Sequence, residues 1–490
     1  MASPGRRPRA HLTFGVLAVS VTAFSLLQSL VTPVLAVIQA DLDTDQATVT
    51  WVLTGYLLSA SVCTPIVGRI GDKVGKDRML VAVLAALSTG SLIAAIATSV
   101  EVLIVARVIQ GIGAGVLPLS FGIIRDEFPE KKVPGAVGVV ASLAAVGAGM
   151  GLALAGPIVE VLNYRWLFWF PMIVTAIAGV AAAFVVPASP VRISGKISLL
   201  PVALLSTWLI GLLLALSEGQ SWGWTSSRVA GLLVVAVVIA VGWVLAEARS
   251  ASPLVDMEMM RLPAVWTTNA VAFLVGFGIY AAGGFLPQLA QTPQSAGYGF
   301  GATVTQSGLI MLPMSLMMSF VGLYSTPLAR RYGPRPVVVL GCLVVAGSYA
   351  IMALAHEHQW ELYVANAVMG AGIGLIFACL SNLIVSAVPP EQTGVASGMN
   401  ANVRTIGGAI GAAAMASIVT AAALPNGPPK ESGYTTGFLA LTAAMVIAAG
   451  VALMIPRVRR HPMEAHLIDE PEHVPLGIVA AGTLIGDKPE

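Results

Sequence analysis

The sequence predicts an all-α polytopic membrane protein with fourteen spanning helices, and three observations carry that expectation. Of 490 residues, 57% are hydrophobic and 10% charged, whereas a soluble domain is roughly 25% charged. Fourteen apolar runs approach or exceed the ~20 residues that a helical span requires. Turns rich in Lys and Arg alternate with turns that are poor in them, which is the asymmetry that sets orientation in a bilayer.

In order, the runs fall at 12–38, 50–67, 79–99, 102–124, 134–159, 166–187, 197–217, 229–247, 264–287, 304–327, 336–355, 361–386, 395–423 and 435–456. Arg6, Arg7 and Arg9 precede the first, as in a secretory signal, but the run is too long for a signal h-region and reads as a retained span. Basic turns follow the even runs: Arg69, Lys73, Lys76 and Arg78; Arg125, Lys131 and Lys132; Arg192 and Lys196; Arg249 and Arg261; Arg330, Arg331 and Arg335. The opposite turns hold Asp41, Asp43, Asp45, Glu101, Glu357 and Glu361, with Arg165, Arg228 and Lys430 as their basic residues. Arg457 to Arg460 join the basic side. Both termini are therefore expected in the cytoplasm, which demands an even number of spans and agrees with fourteen.

Helices 2–5 recur as helices 10–13. Thr64-Pro65 leads to Gly75-Lys76, and Thr326-Pro327 leads to Gly333-Pro334. Glu101 leads to Gly111, Gly113 and Gly115, then Phe128-Pro129, while Glu361 leads to Gly370, Gly372 and Gly374, then Val388-Pro389. The expected organisation is an arm over 1–11, a six-helix bundle over 12–190, two inserted helices over 191–250, a second bundle over 251–456 and a polar tail over 457–490. Parallel halves around a midplane site suit a secondary transporter.

Several classes are disfavoured. The net charge of +2 gives no argument for nucleic acid. Cys63, Cys342 and Cys379 lie inside apolar runs without CxxC spacing, so no metal site or disulfide framework is expected. His356-Glu357-His358 has no third ligand in reach. Gly75-Lys76 is followed by Asp77 rather than Ser or Thr, so no phosphate-binding loop for ATP is formed. No nucleophile and base cluster together, so no catalytic residue is assigned.

The chemistry-bearing stretches lie at the turns and inside the spans. Gly68 to Arg78, G-R-I-G-D-K-V-G-K-D-R, packs three glycines, two aspartates and four basic residues between two spans and reads as a tight basic turn. Arg107 lies inside the fourth run, with Gln110 and Gly111 one turn on. A cation there costs about 2.5–3.5 kcal/mol and must find a partner, a carbonyl or a watery cavity, unless it snorkels to the interface. Arg125 and Asp126 close the same helix. Helix 5 carries Gly147, Gly149, Gly151, Gly156 and Pro157, small residues that let membrane helices touch. Helix 13 carries Asn400, Asn402 and Arg404, with Arg404 about 15 Å inside at 1.5 Å per residue. Met311, Met314, Met317 and Met318 form an adaptable patch on helix 10, suited to promiscuous binding or to plain packing.

Gly68, Asp72, Gly75, Lys76 and Arg78 resemble the signature loop between helices 2 and 3 of the major facilitator superfamily, with Asp77 where a basic residue is usual. R-x-x-Q-G-x-G at Arg107 is similar to the helix-4 motif of its proton-coupled exporters. That likeness implies an arginine facing the central cavity and tied to proton coupling. The likeness also implies that Arg125 and Asp126 latch the outward-facing state against Asp72 and Arg78. The run Gly147 to Pro157 is similar to the helix-5 motif of antiporters, although Glu160 and Val161 stand where two further glycines are usual. Tyr164-Arg165-Trp166-Leu167-Phe168 and the Asn-Arg-Gly pattern of helix 13 add to the likeness.

Over residues 12–456 the chain resembles the fourteen-helix drug:proton antiporters of EmrB/QacA type. The resemblance implies a major facilitator fold and a proton-coupled multidrug or metabolite exporter in the cell membrane. It implies no cofactor beyond the proton gradient, a small amphipathic substrate, a lipid bilayer as surroundings and a monomer. Gln28, Thr32, Arg107, Gln110, Asn400 and Arg404 would line a cavity between helices 1, 4, 9 and 13. Helix 1 departs from the family, because Leu27 takes the position of its aspartate. No clear carboxylate is left near the membrane centre to carry the proton; the candidates Glu160, Glu218 and Glu247 all sit near helix ends. A uniporter or symporter on the same fold is the first rival, and a membrane sensor or enzyme the second.

Overall fold

The computed structural model describes residues 7–44, 46–189, 198–250, 253, 255–421 and 429–456. The expectations for Arg6, Asp45, Arg192, Lys196 and the tail from Arg457 lie outside these residues.

Among the described residues, fourteen helices are long and apolar enough to cross a membrane. They are α1 (Ala10–Val34), α2 (Thr48–Val74), α3 (Lys76–Ala95), α4 (Val100–Glu127), α5 (Glu130–Val161), α6 (Trp166–Val185) and α7 (Leu200–Gly219). After them come α8 (Ser227–Arg249), α9 (Pro263–Gln291), α10 (Val304–Tyr332), α11 (Pro334–Leu354), α12 (Gln359–Ala387), α13 (Pro390–Ala421) and α14 (Glu431–Ala452). The fourteen expected runs each correspond to one of them. A helix satisfies every backbone donor and acceptor within itself, which is why an apolar chain in lipid adopts this element.

Two local expectations are corrected. The stretch from Gly68 is not a turn: helix continues through Val74 and resumes at Lys76, leaving Gly75 alone between them. Gly75 has φ 121°, and its counterpart Gly333, between α10 and α11, has φ 90°. Only glycine takes such angles without strain, so the same residue turns the chain at the same place in both halves. The first run is also not one helix to residue 38. Regular helix stops at Leu30, a 3-10 turn spans Thr32–Val34, and a short helix follows over Leu35–Asp41. Pro33 cannot donate to the preceding turn, which accounts for the break.

Packing follows the sequence repeat. In the first half, α1 packs on α5 and α6, α3 on α4 and α6, and α2 on α4. In the second, α9 packs on α13 and α14, α11 on α12 and α14, and α10 on α12. Two reciprocal pairs join the halves, α5 with α10 and α2 with α13. Each half has its own buried apolar core, one containing Leu17, Leu84 and Phe168, the other Tyr349, Phe438 and Met445. The inserted α7 lies against both α2 and α13, with Thr54 and Ser217 hydroxyls 2.9 Å apart. α8 packs on α7, where the Trp208 and Trp243 rings are 6.0 Å apart. Its Val234, Val237, Val238 and Val241 are exposed, as lipid-facing residues are.

The helix-5 glycines set how closely α5 approaches its neighbours. Gly147 and Gly151 lie against α1, where a Cβ would meet the carbonyls of Thr22 and Leu26, and Gly149 and Gly156 lie against Ser315 and Thr305 of α10. Gly149→Val is expected to force α5 and α10 apart and to lower stability by about 1–3 kcal/mol, the usual cost of overpacking. The melting midpoint of the purified protein checks this, and a midpoint equal to wild type would contradict the close contact.

Candidate functional site

A polar cavity of about 80 Å³ lies where α1, α2, α4, α9 and α13 converge. Its polar lining is Gln28 from α1, Tyr56, Ser61 and Thr64 from α2, Tyr280 from α9, and Asn402, Arg404 and Thr405 from α13. Phe24, Leu57, Ala60, Ala114, Leu117 and Ala401 complete the wall. Among the described residues, none that lines the cavity is acidic. A drug-sized ligand needs roughly 300–1,000 Å³, so the halves must part before one can enter.

The expected helix set lacked α2, which supplies five lining residues, Tyr56, Leu57, Ala60, Ser61 and Thr64. Their spacing of three and four places them on one face of a helix. Gln28 and Arg404 both line the cavity. Asn400 lines a smaller adjoining pocket, also bordered by Arg404 and Ser397, and it donates to Asn269 Oδ1 at 2.8 Å. Thr32 is exposed in the break after Leu30 and does not reach the cavity.

Several lining groups are buried without a hydrogen-bond partner among the described residues: Tyr56 OH, Ser61 Oγ and both side-chain amide atoms of Asn402. A buried polar atom left so costs about 1–3 kcal/mol, and such groups are retained where a ligand or water meets them. Arg404 makes no ion pair among the described residues. Its guanidinium lies 4.8 Å from the centre of the Phe377 ring, which offers a partial, undirected partner.

Arg107 is corrected in position. It is fully buried between α2, α3 and α4 and does not line the cavity. Its Nε donates to the Val52 carbonyl at 3.2 Å and its Nη1 to Gln110 Oε1 at 2.7 Å. Gln110 in turn donates to Ser91 Oγ at 3.0 Å. The guanidinium stacks on Tyr56 with 4.3 Å to the ring centre. Tyr56 therefore stands between the buried cation and the cavity, so Arg107 acts on the cavity only through that ring. The chain around Arg107 tightens into a 3-10 turn at Ile112–Gly115, where Gly111 meets Ser59 and Gly113 meets Leu87. The glycines bring α4 close enough for Arg107 to reach the α2 backbone.

The end of the molecule that carries the basic turns is sealed by contacts between the halves. Asp72 Oδ2 accepts from the Val395 amide at 3.3 Å, and a Cβ on Gly68 would lie 2.7 Å from the Gly394 carbonyl oxygen. Arg125 Nη1 donates to Thr393 Oγ1 at 2.8 Å, Asn382 to the Pro134 carbonyl at 3.1 Å, and Arg330 to the Lys131 carbonyl at 2.7 Å. The ion pair behind this seal is Lys76 with Asp126, at 2.8 Å and almost fully buried. Ser189 Oγ also donates to Asp126, and the Ser189 amide donates to Asp77. The expected partner, Arg78, is exposed. Lys76 takes its place: as the first residue after the Gly75 break it turns back toward the end of α2, with 3.9 Å between its Nζ and Asp72 Oδ1. At the far end, Thr305 of α10 donates to Glu160 of α5 at 2.6 Å.

A family model described as Major Facilitator Superfamily matches residues 17–412 and, in a second match, 268–481. Over 382 residues the chain is 28% identical to the "Multidrug transporter protein MdtP" of Bacillus subtilis, covering 76% of this chain and 68% of that one. It is 29% identical over 476 residues to the "Cephamycin export protein CmcT" of Amycolatopsis lactamdurans, covering 93% and 95%. The crystal structure of the human organic anion transporter MFSD10 has the same fold, with a TM-score of 0.66, 17% identity, and coverage of 92% of this chain and 100% of that one.

Proposed function

The chain belongs to the major facilitator superfamily, and from that premise we propose that it exports small molecules across the cell membrane in exchange for protons, by alternating access. In this reading the basic end faces the cytoplasm, as the Lys and Arg distribution favours, and the two six-helix halves rock about the central cavity. Relatives whose names refer to multidrug transport and cephamycin export favour efflux.

The observation that carries the reading is the pairing of a polar central cavity with a seal made of small, polar contacts. Gly68, Gly394, Arg125 and Thr393 meet through backbone and single hydrogen bonds. Water can take over such contacts when the halves part, at a net cost of about 0.5–1.5 kcal/mol each. A large apolar seal would resist opening far more strongly. Closing one end while opening the other then needs only the energy scale of substrate binding.

Uniport is the second reading, and one observation favours it: no carboxylate lines the cavity. The carboxylates buried at the seal are Asp72 and Asp126, and in the antiport reading the proton passes through that end. The test is steady-state accumulation of fluorescent compounds in cells that lack their own exporters. With the membrane potential clamped at zero by valinomycin and potassium, proton antiport predicts lower accumulation on expression, reversed when nigericin collapses the pH gradient. Accumulation that expression does not lower under the clamp, from a protein that still speeds equilibration, would reject antiport and leave uniport.

A further inference from the structure

We propose that the cavity selects organic anions, holding a carboxylate or similar oxyanion on Arg404 and Asn402 with the rest of the molecule against the aromatic wall. The inference rests on the efflux reading for its physiological meaning, although the site is defined by binding alone.

The chain places a permanent cation at the cavity wall, and none of the residues around it is acidic. Arginine stays protonated in such a site, and Phe377 is a weak counterpart for it. The guanidinium fork matches two oxygens of one carboxylate. Asn402 lies two residues away on α13 with its amide donor unsatisfied and buried, and it lines the same cavity. Ser61 Oγ across the cavity, also unpartnered, adds a third donor. Phe24, Tyr56 and Tyr280 supply flat surface for an aromatic or amphipathic body. The buried Arg107 behind Tyr56 adds positive charge, and it makes no ion pair among the described residues. A lipophilic cation would meet this field unscreened.

The proposal has an energetic consequence. An anion leaving a cell that is negative inside moves down the electrical gradient, so export is favoured by the membrane potential as well as by any proton taken in exchange.

The test uses the full chain in lipid nanodiscs and a set of aryl carboxylates led by 1-naphthoate, each paired with its neutral primary amide and a trimethylammonium analogue. Binding is read by calorimetry. The proposal expects each bound carboxylate to exceed its amide by about tenfold or more, the scale of a charge-assisted hydrogen bond. Arg404→Gln should erase that preference by bringing carboxylate affinity down to the level of the amide, and Arg404→Lys should restore part of it. A melting midpoint in nanodiscs equal to wild type shows that the Gln variant is folded. Equal affinity for acid and amide, preference for the ammonium analogue, a preference that survives Arg404→Gln, or no saturable carboxylate binding would overturn the proposal. Carboxylate binding without flux in vesicles would reject efflux and leave the anion site standing. Flux without anion preference would do the reverse.

Discussion

Arg107→Ala is expected to reduce efflux more than tenfold while leaving the protein folded and nearly as stable as wild type. Two terms of similar size oppose each other. The substitution removes hydrogen bonds to Val52 and Gln110, worth about 1.5–3 kcal/mol each where one partner is charged. It also relieves the burial of a cation in the membrane region, which costs about 2.5–3.5 kcal/mol. Stability is thus a poor reason to keep an arginine there. What cannot be replaced is the stacking that fixes Tyr56 at the cavity wall. Arg107→Lys should not rescue transport, because an ammonium lacks the planar fork that stacks and donates in two directions. Initial efflux rates and melting midpoints measured on the same preparations check this. An active alanine variant would remove Arg107 from the transport path.

Asp126→Ala is expected to open the basic end. Lys76 would keep only the more distant Asp72 at 3.9 Å, and breaking a buried pair costs about 3–5 kcal/mol. The loss falls on the sealed state, because opening this end lets water reach Lys76. A shift of that size moves a sealed state favoured a hundredfold to one that is in the minority, since each 1.4 kcal/mol is about a factor of ten. The reporter is Ser397→Cys in a background without Cys63, Cys342 and Cys379. Ser397 is 8% exposed and lines the pocket just inside the seal. Its labelling by an impermeant maleimide from the basic end should rise at least tenfold in the Asp126→Ala background. Unchanged labelling would mean that the Lys76–Asp126 pair does not hold the seal.

The spans were legible because crossing lipid imposes length and apolarity on each helix separately. The repeat was legible because Gly75 and Gly333 both serve left-handed turns that other residues avoid. What escaped was where the helices break. Reading Gly68 to Arg78 as one turn assigned the ion pair to Arg78, whereas the sharp break confined to Gly75 brings Lys76, the first residue of α3, back against Asp72 and Asp126. Thr32 was expected in the cavity because it is polar, but Pro33 ends the helix there and leaves it exposed. Tyr56, Ser61 and Tyr280 were visible as polar groups in apolar runs. Nothing local says which such groups from α2 and α9 meet across the molecule, because that depends on how the two halves dock. The same gap put Arg107 in the cavity rather than behind Tyr56.

The most direct measurement is proton movement in inverted membrane vesicles carrying the protein, with a preset pH gradient and the membrane potential clamped by valinomycin and potassium. Substrates already shown to be exported are added while the internal pH is followed. The account predicts a collapse of the gradient that depends on substrate and is absent with Arg107→Ala. Substrate flux with no proton movement would contradict antiport and leave a transporter driven by the substrate's own gradient and charge.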